Sequence, residues 1–252
     1  MSRETLKARI RKYAAGQTSN RRLLAGAIRN LNRPHIRECN LCGYRGKFWP
    51  FGDPPRPGAV CGNCKSVERH RLVGLWLKEN PGVVEGKRLL HFAPEKGLAA
   101  IFKTRTDRYR SADLNPHAAD TVLNIENIEL PDDSVDVVVA SHVLEHVDDS
   151  KALNEIHRIL VKDGIALLMF PVVEGWDRTY ENSQHTSDAD RTTYFGQFDH
   201  VRMYGRDVRD RITTAGFALE EFTAVEPSVA RYGLVRGEKI FIAKKTSLPI
   251  AR

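Results

Sequence analysis

The chain has 252 residues, of which 41% are hydrophobic and 8% aromatic, enough for one large domain or for a domain with a small appendage. No apolar run approaches the roughly 20 residues of a membrane helix, and the basic N-terminus lacks the apolar segment of a secretory signal. The composition therefore argues against a transmembrane segment and predicts a soluble, cytoplasmic protein.

The positive charge is concentrated at the N-terminus. The first 38 residues hold ten Lys or Arg and only two acids, whereas the whole chain has a net charge of +7, so the remainder is nearly neutral. Apolar residues recur at helical spacing from Leu6 to Tyr13 and from Leu23 to Leu31, which predicts two short basic helices in an extension over residues 1–35. Such an extension is either simply solvated or contacts nucleic acid, an anionic membrane surface or an acidic partner.

All four cysteines fall in a short module over residues 36–66. They have the spacing C-x2-C-x18-C-x2-C, formed by Cys39, Cys42, Cys61 and Cys64. Two C-x-x-C turns at this separation are typical of a tetrahedral zinc site with four thiolate ligands. Two disulfides are the alternative, which the cytosolic setting disfavours. Four sulfur ligands leave no open position on the metal, so the predicted Zn2+ is structural.

The rest of the chain alternates between helices and strands. Residues 67–85 predict a linker helix that Ser66 caps and that ends near Asn80-Pro81-Gly82. From residue 86 to 246 we predict strands at Leu89–Phe92, Tyr109–Ala112, Thr121–Leu123, Val135–Ala140, Ile165–Phe170, Phe217–Thr223 and Lys239–Ala243, and helices that start at Leu98 and span Ser150–Leu160 and Tyr204–Ala215. The near-continuous apolar strands predict a parallel sheet covered by helices, closed by an antiparallel hairpin.

The α/β domain begins with a strand, a turn, a helix and a second strand. This is the order of elements in a nucleotide-binding α/β unit. An acid, Asp113, ends the second strand, where a carboxylate can accept hydrogen bonds from both hydroxyls of a ribose. The turn at residues 93–97 reads Ala-Pro-Glu-Lys-Gly in place of a glycine-rich sequence. This stretch alone is equally consistent with an ordinary βαβ turn that binds no nucleotide.

A long polar insert occupies residues 172–203 within the α/β domain. It is rich in titratable groups and also contains five aromatic residues, Trp176, Tyr180, Tyr194, Phe195 and Phe198, which argue against disorder. We therefore predict a lid over the substrate. Asp199 and His200 offer an adjacent pair that either supplies a general base or caps the next helix and pins the loop.

One segment carries a resemblance to a known family. Residues 130–147, LPDDSVDVVVASHVLEHV, are similar to the motif of class I S-adenosylmethionine-dependent methyltransferases of the type 11 kind. The similarity extends over roughly residues 87–245. Glu68-Arg-His-Arg71 and His91-Phe-Ala-Pro-Glu95 resemble a subgroup with an N-terminal four-cysteine module. The resemblance implies a Rossmann-like fold with a mostly parallel seven-stranded sheet and a terminal antiparallel hairpin.

The resemblance also implies which residues bind S-adenosyl-L-methionine. The turn at residues 93–97 would lie along the methionine moiety, which the end of the fourth strand would also border. Asp113 would bind the ribose, and Leu114 would pack on the adenine. Asn124 and Ile125 would contact the edge of the adenine. The implied cofactor-binding residues are Phe92, Ala93, Pro94, Glu95, Gly97, Asp113, Leu114, Asn124, Ile125, Ser141 and His142. Glu145 and His146, in the V-L-E-H segment, either join this site or only cap and pack the turn.

These observations predict methyl transfer to a small-molecule or glycan acceptor, with an oxygen atom as nucleophile. A hydroxyl must lose its proton during transfer, so we expect His200, with Asp199 beside it, to be the base and His142 to be its rival. Two other functions stay open: methylation of RNA or protein, using the module and the basic extension, and a non-catalytic zinc-containing adaptor. The oligomeric state is not predicted.

Overall fold

A computed structural model describes residues 36–52 and 55–246, so the basic extension with its two predicted helices lies outside the described residues. The chain divides into two compact units. Of the described residues, the first unit holds those up to Arg71 together with 225–236, and the second holds 72–224 together with 237–246. None of the described helices is both long and apolar enough to cross a membrane.

The described elements follow the predicted alternation. The strands are β1 Arg37–Glu38, β2 Arg45–Gly46, β3 Trp49–Phe51, β4 Arg56–Val60, β5 Arg88–Phe92, β6 Arg108–Asp113, β7 Thr121–Val122, β8 Val135–Ser141, β9 Leu160–Met169, β10 Tyr180–Glu181, β11 Arg202–Met203, β12 Phe217–Thr223 and β13 Lys239–Lys245. The helices are α1 Glu68–Glu79, α2 Lys96–Arg105, α3 Asp149–Ile159, α4 Asp188–Phe195, α5 Val208–Thr214 and α6 Ser228–Tyr232, with a 3-10 turn at Leu144–His146.

The first unit contains two antiparallel strand pairs, β1 with β2 and β3 with β4, and a buried arginine. Arg71 is fully buried and donates hydrogen bonds to the carbonyl oxygens of Ser66, Ala59, Tyr232 and Gly233 at 2.7–2.9 Å. A buried cation is tolerated only when its donors are satisfied in this way. These bonds explain why the segment around α6 belongs to this unit, a grouping that the sequence did not predict.

The second unit is built on a seven-stranded sheet in the order β12-β13-β9-β8-β5-β6-β7. The pairs from β9 to β7 are parallel, and β13 is antiparallel to both of its neighbours. Six of the seven residues of β8 are buried, as expected for a strand covered by helices on both faces. The predicted Rossmann-like fold with a terminal antiparallel hairpin is confirmed.

Helix α3 covers one face of this sheet and lies within one residue of its predicted bounds. Asp148 caps it by accepting a hydrogen bond from the Lys151 N–H at 3.2 Å. Leu153 and Ile156 are buried in the core that α3 shares with β8 and β9. The helix therefore fixes the position of the 3-10 turn that precedes it.

The insert is folded, and one helix boundary predicted near it is wrong. Strands β10 and β11 pair antiparallel, with α4 between them. The helix expected from Tyr204 begins only at Val208, because Tyr204 is buried and its hydroxyl donates to the Leu144 carbonyl at 3.1 Å and the Asp149 carboxylate at 3.0 Å. Tertiary contacts thus hold Tyr204 in extended backbone ahead of the helix.

Candidate functional site

The topology of the sheet places a crevice at the carboxyl ends of two strands. From β5 the chain continues to β6 and β7 on one side, whereas β8 and β9 lie on the other side. Ligands in open α/β sheets bind where the connections diverge in this way. A cleft of about 450 Å³ opens there, within the range of small-molecule sites.

Seven of the predicted cofactor residues line this cleft: Phe92, Ala93, Asp113, Leu114, Asn124, Ile125 and His142. The lining also contains Ala112, Leu123, Val143, His146, Val147 and Asp199. Four predicted residues are not part of the lining. Pro94, Glu95 and Gly97 belong to the turn and the start of α2, and Ser141 is the buried last residue of β8.

The polar groups at the β6 side of the cleft are held by local turns. The Oδ1 atom of Asp113 accepts the Asn115 N–H at 2.8 Å, which fixes the carboxylate beyond the end of β6. In the same way, Oδ1 of Asn124 accepts the Glu126 N–H at 3.0 Å, so its NH2 group remains for a ligand. Leu114 between them is 66% exposed and offers an apolar surface.

On the opposite wall, His142 is presented by unusual backbone at the end of β8. Its φ of 56° lies in the left-handed region, which turns the chain sharply after the strand. Its Nδ1 lies 3.1 Å from Oε1 of Glu145, a side chain that is only 1% exposed. Because an ionised carboxylate can only accept, this contact orients His142 with a donating Nδ1–H.

Asp199 and His200, the adjacent pair proposed for the base, contact different neighbours. Oδ2 of Asp199 lies 3.4 Å from Nδ1 of His146, while Nδ1 of His200 lies 3.1 Å from the Phe195 carbonyl oxygen. His200 is buried behind the cleft wall, and this burial lowers the pKa of its imidazole, which keeps it neutral at physiological pH. Sequence adjacency suggested the wrong partner because the two side chains leave the backbone toward different neighbours.

The V-L-E-H segment supplies residues that the sequence left unassigned. Val143, His146 and Val147 line the cleft, and Glu145 is the buried partner of His142. The motif itself was the available signal, but its residues form a 3-10 turn whose side chains diverge. Only the tertiary structure shows which of them face the cleft.

In the first unit, the four cysteines come together without forming disulfides. The Sγ atoms of Cys39 and Cys64 lie 3.6 Å apart and those of Cys42 and Cys61 lie 3.7 Å apart. A disulfide needs about 2.0 Å, whereas sulfurs about 2.3 Å from a tetrahedral zinc ion lie about 3.8 Å from one another. Burial raises the pKa of the Cys61 thiol to about 12, so its deprotonation requires a compensating cation. The cluster therefore fits zinc.

Comparisons with known proteins agree with this architecture. Residues 86–168 match the family described as methyltransferase domain. No curated protein matches the chain significantly. Three solved structures have the same fold at low sequence identity, as follows. YcgJ from Bacillus subtilis is 14% identical (TM-score 0.51; 71% of this chain and 100% of that one). A chain in the complex of the Haloferax volcanii Trm112 methyltransferase activator with a putative methyltransferase is 18% identical, with a TM-score of 0.52, and the match covers 71% of this chain and 91% of that one. An S-adenosylmethionine dependent methyltransferase from Mesorhizobium loti is 15% identical, with a TM-score of 0.50, and the match covers 69% of this chain and 98% of that one.

The cysteine cluster leads to a prediction of metal content. Protein purified without chelators should contain one zinc ion per chain by elemental analysis. Cys39→Ser should lose this zinc and destabilise the module, because the remaining thiolates cannot complete the tetrahedron. Lys47→Ser, an exposed substitution in the same module, should keep both zinc and stability. A wild-type preparation clearly below one zinc per chain would contradict the assignment.

Proposed function

Because residues 86–168 match the family described as methyltransferase domain, we propose that this protein transfers the methyl group of S-adenosylmethionine to a hydroxyl oxygen of a small-molecule or glycan acceptor. The observation that supports this most directly is one cleft with Asp113 on one wall and His142 on the other. An anionic hydrogen-bond acceptor for a ribose and an oriented imidazole for a proton thus share one space.

The chemistry of the cleft fits the cofactor. The Asp113 carboxylate would accept hydrogen bonds from the ribose hydroxyls, since among the described residues only the Asn115 N–H donates to its oxygens. Leu114 and Ile125 provide apolar surfaces for the adenine, and the NH2 group of Asn124 would donate to a ring nitrogen. When bound, the cofactor supplies an already activated methyl group, so the protein needs only to align the acceptor, exclude water and remove a proton.

For the proton we favour His142 over His200. His142 lines the cleft, whereas His200 is buried and its Nδ1 is engaged with the Phe195 carbonyl. The buried Glu145 carboxylate holds the Nδ1–H of His142, which leaves Nε2 with a lone pair. Nε2 would take the hydroxyl proton as the oxygen forms its bond to the methyl carbon, and Glu145 would stabilise the imidazolium that results.

The acceptor would lie against the insert. Its residue Asp199 lines the cleft, and the exposed aromatics Tyr194 and Phe198 stand close to it in sequence. Phe198 is 56% exposed and Tyr194 48%. Exposed aromatic side chains on the insert would suit the mixed apolar and hydroxyl surface of a sugar or a similar small molecule.

A second candidate function is RNA methylation, and the cysteine module carries the observation that favours it. Trp49 and Phe51 alternate along β3, so they share a face of the hairpin, and they are 59% and 49% exposed. Arg56 lies opposite Phe51 in the register. The Arg56 guanidinium is bonded to the Glu68 carboxylate, so the two exposed aromatic side chains are the feature that suits single-stranded nucleic acid, whose bases stack on such residues.

The two candidates differ in a binding measurement. If RNA is the acceptor, a single-stranded oligonucleotide should bind at low salt and weaken steeply as salt rises, and Phe51→Ala should reduce binding by about 1–3 kcal/mol. Val225→Ala, which removes an exposed apolar side chain that belongs neither to β3 nor to the cleft lining, is the control. Absence of binding at low salt would eliminate RNA and leave the small-molecule or glycan acceptor.

Asp113→Ala tests the cofactor site. Loss of a charged hydrogen bond to the ribose should weaken S-adenosylmethionine binding by about 1.5–3 kcal/mol in a calorimetric titration. Asp107→Ala, at an exposed position before β6, should bind as the wild type does. Equal affinity in the Asp113 variant would show that the carboxylate is not the ribose ligand. Absence of binding by the wild type would instead favour the non-catalytic adaptor.

His142→Ala tests the base. Turnover with an identified acceptor should fall about 10²–10⁴-fold with nearly unchanged cofactor affinity, and added imidazole should restore part of it. Chemical rescue separates a lost base from a distorted cleft. The exposed His117→Ala is the control and should retain normal turnover. Near-normal turnover of His142→Ala together with imidazole rescue of His200→Ala would return the role to His200.

A further inference from the structure

A second group of potential metal ligands lies in the α/β unit, at the wall of the cleft. Glu145, His146 and His200 each offer one ligand atom, and these atoms all lie within 4.8 Å of one another. His146 also lines the cleft. Two imidazoles and one carboxylate are a ligand set that transition metals use, with coordination positions left open for substrate or water.

The hydrogen bonds of the two histidines prepare them for metal binding. Nδ1 of His146 lies 3.2 Å from the Asp199 carbonyl oxygen, and Nδ1 of His200 lies 3.1 Å from that of Phe195. A carbonyl can only accept, so each contact requires a hydrogen on Nδ1, and the tautomer with this hydrogen has its lone pair on Nε2. Metal-binding histidines in proteins are oriented by this kind of bond to a carbonyl or carboxylate.

Glu145 supplies an independent observation. Its side chain is 1% exposed, and Oε1 contacts Nδ1 of His142. The other oxygen, Oε2, is buried and makes no hydrogen bond with any of the described residues. A buried carboxyl oxygen without a hydrogen-bond partner is costly, and a bound cation would offset this cost.

The backbone holds these ligands together before any metal arrives. The Val201 N–H donates to the Glu145 carbonyl at 2.9 Å, which joins the segment of His200 to the 3-10 turn of Glu145 and His146. The rings of His146 and His200 stand edge to face, with centroids 4.7 Å apart. The cluster is therefore a built feature of two chain segments and does not depend on flexible surface side chains.

We propose that Glu145, His146 and His200 bind one divalent transition-metal ion at the acceptor side of the cleft, distinct from the zinc of the cysteine module. Imidazole ligands favour Mn2+, Fe2+, Co2+ or Zn2+ over Mg2+ and Ca2+, which prefer oxygen ligands alone. If the proposed methyl transfer to oxygen is correct, such an ion would polarise the acceptor hydroxyl and assist its loss of a proton to His142. Metal binding itself does not rest on that function.

The experiment titrates Mn2+ into the full-length, zinc-loaded protein, without S-adenosylmethionine, and follows free Mn2+ by electron paramagnetic resonance. Mn2+ prefers oxygen and nitrogen ligands, so the thiolate site does not compete. A parallel titration with Co2+ should give visible d–d bands without thiolate charge-transfer bands. The wild type should bind one ion per chain in both titrations.

Glu145→Gln and His200→Gln should each weaken Mn2+ binding by more than the about 10–100-fold that loss of a second-shell partner costs. The exposed Glu129→Gln and His117→Gln are controls with the same chemical change and should bind as the wild type does. Circular dichroism identifies any variant that fails to fold. If one ligand variant is unfolded, Mn2+ binding by the other one tests the proposal. Absence of a second ion in the wild type, or unchanged binding by a folded ligand variant, would overturn the proposal without bearing on cofactor binding.

Discussion

The candidate site depends on the hydrogen bonds that join the turn after β8 to the segment that leaves the insert. The Leu144 carbonyl accepts from Nη1 of Arg202 at 2.8 Å and from the Tyr204 hydroxyl at 3.1 Å. Arg202 is buried and also forms ion pairs with Glu181 and Asp149. Breaking such a network leaves an uncompensated buried charge, which is strongly destabilising. This network therefore fixes where the histidines of the two segments meet.

Glu145 occupies the centre of that arrangement. One of its oxygens orients His142, which faces the cleft, and its carboxylate also lies next to His146 and His200. A single buried acid thus links the proposed base to the proposed metal ligands. The cleft is lined both by the ends of the parallel strands and by the insert, and the two parts differ in the groups they present. The ends of the parallel strands present groups suited to a nucleoside, whereas the insert contributes Asp199 to the cleft and has exposed aromatic residues close to it in sequence.

The cysteine module follows a different physical logic. Its small apolar cluster consists of Cys39, Phe48 and Cys61, with Leu41 and Tyr44 packed against it. A core of this size stabilises a fold weakly, so such units rely on metal ions or covalent links. Arg71 adds to this by satisfying four carbonyl groups and lying 4.8 Å from the centre of the Phe48 ring. Its positive charge also interacts with Cys39 and Cys61 and favours their ionised forms, which opposes the rise in their pKa caused by burial.

The sequence alone determined those features that depend on local pattern. The apolar run of β8, the capped amphipathic helix α3 and the cysteine spacing each depend on neighbours along the chain, and the structure has all three. Asp113 also follows from local order, since the tip of the second strand of such a unit reaches the ligand crevice. The resemblance of residues 130–147 to methyltransferases added the expected fold and cofactor.

Only the tertiary structure decided the partners of the polar residues. Adjacency paired Asp199 with His200, but Asp199 contacts His146, and His200 turns to the Phe195 carbonyl. Likewise, the sequence predicted a helix that begins at Tyr204. In the structure the buried Tyr204 hydroxyl is hydrogen-bonded and the backbone there is extended. Hydrogen-bond partners and burial are set by segments far apart in the chain, and no local pattern of residue types encodes which of them will meet.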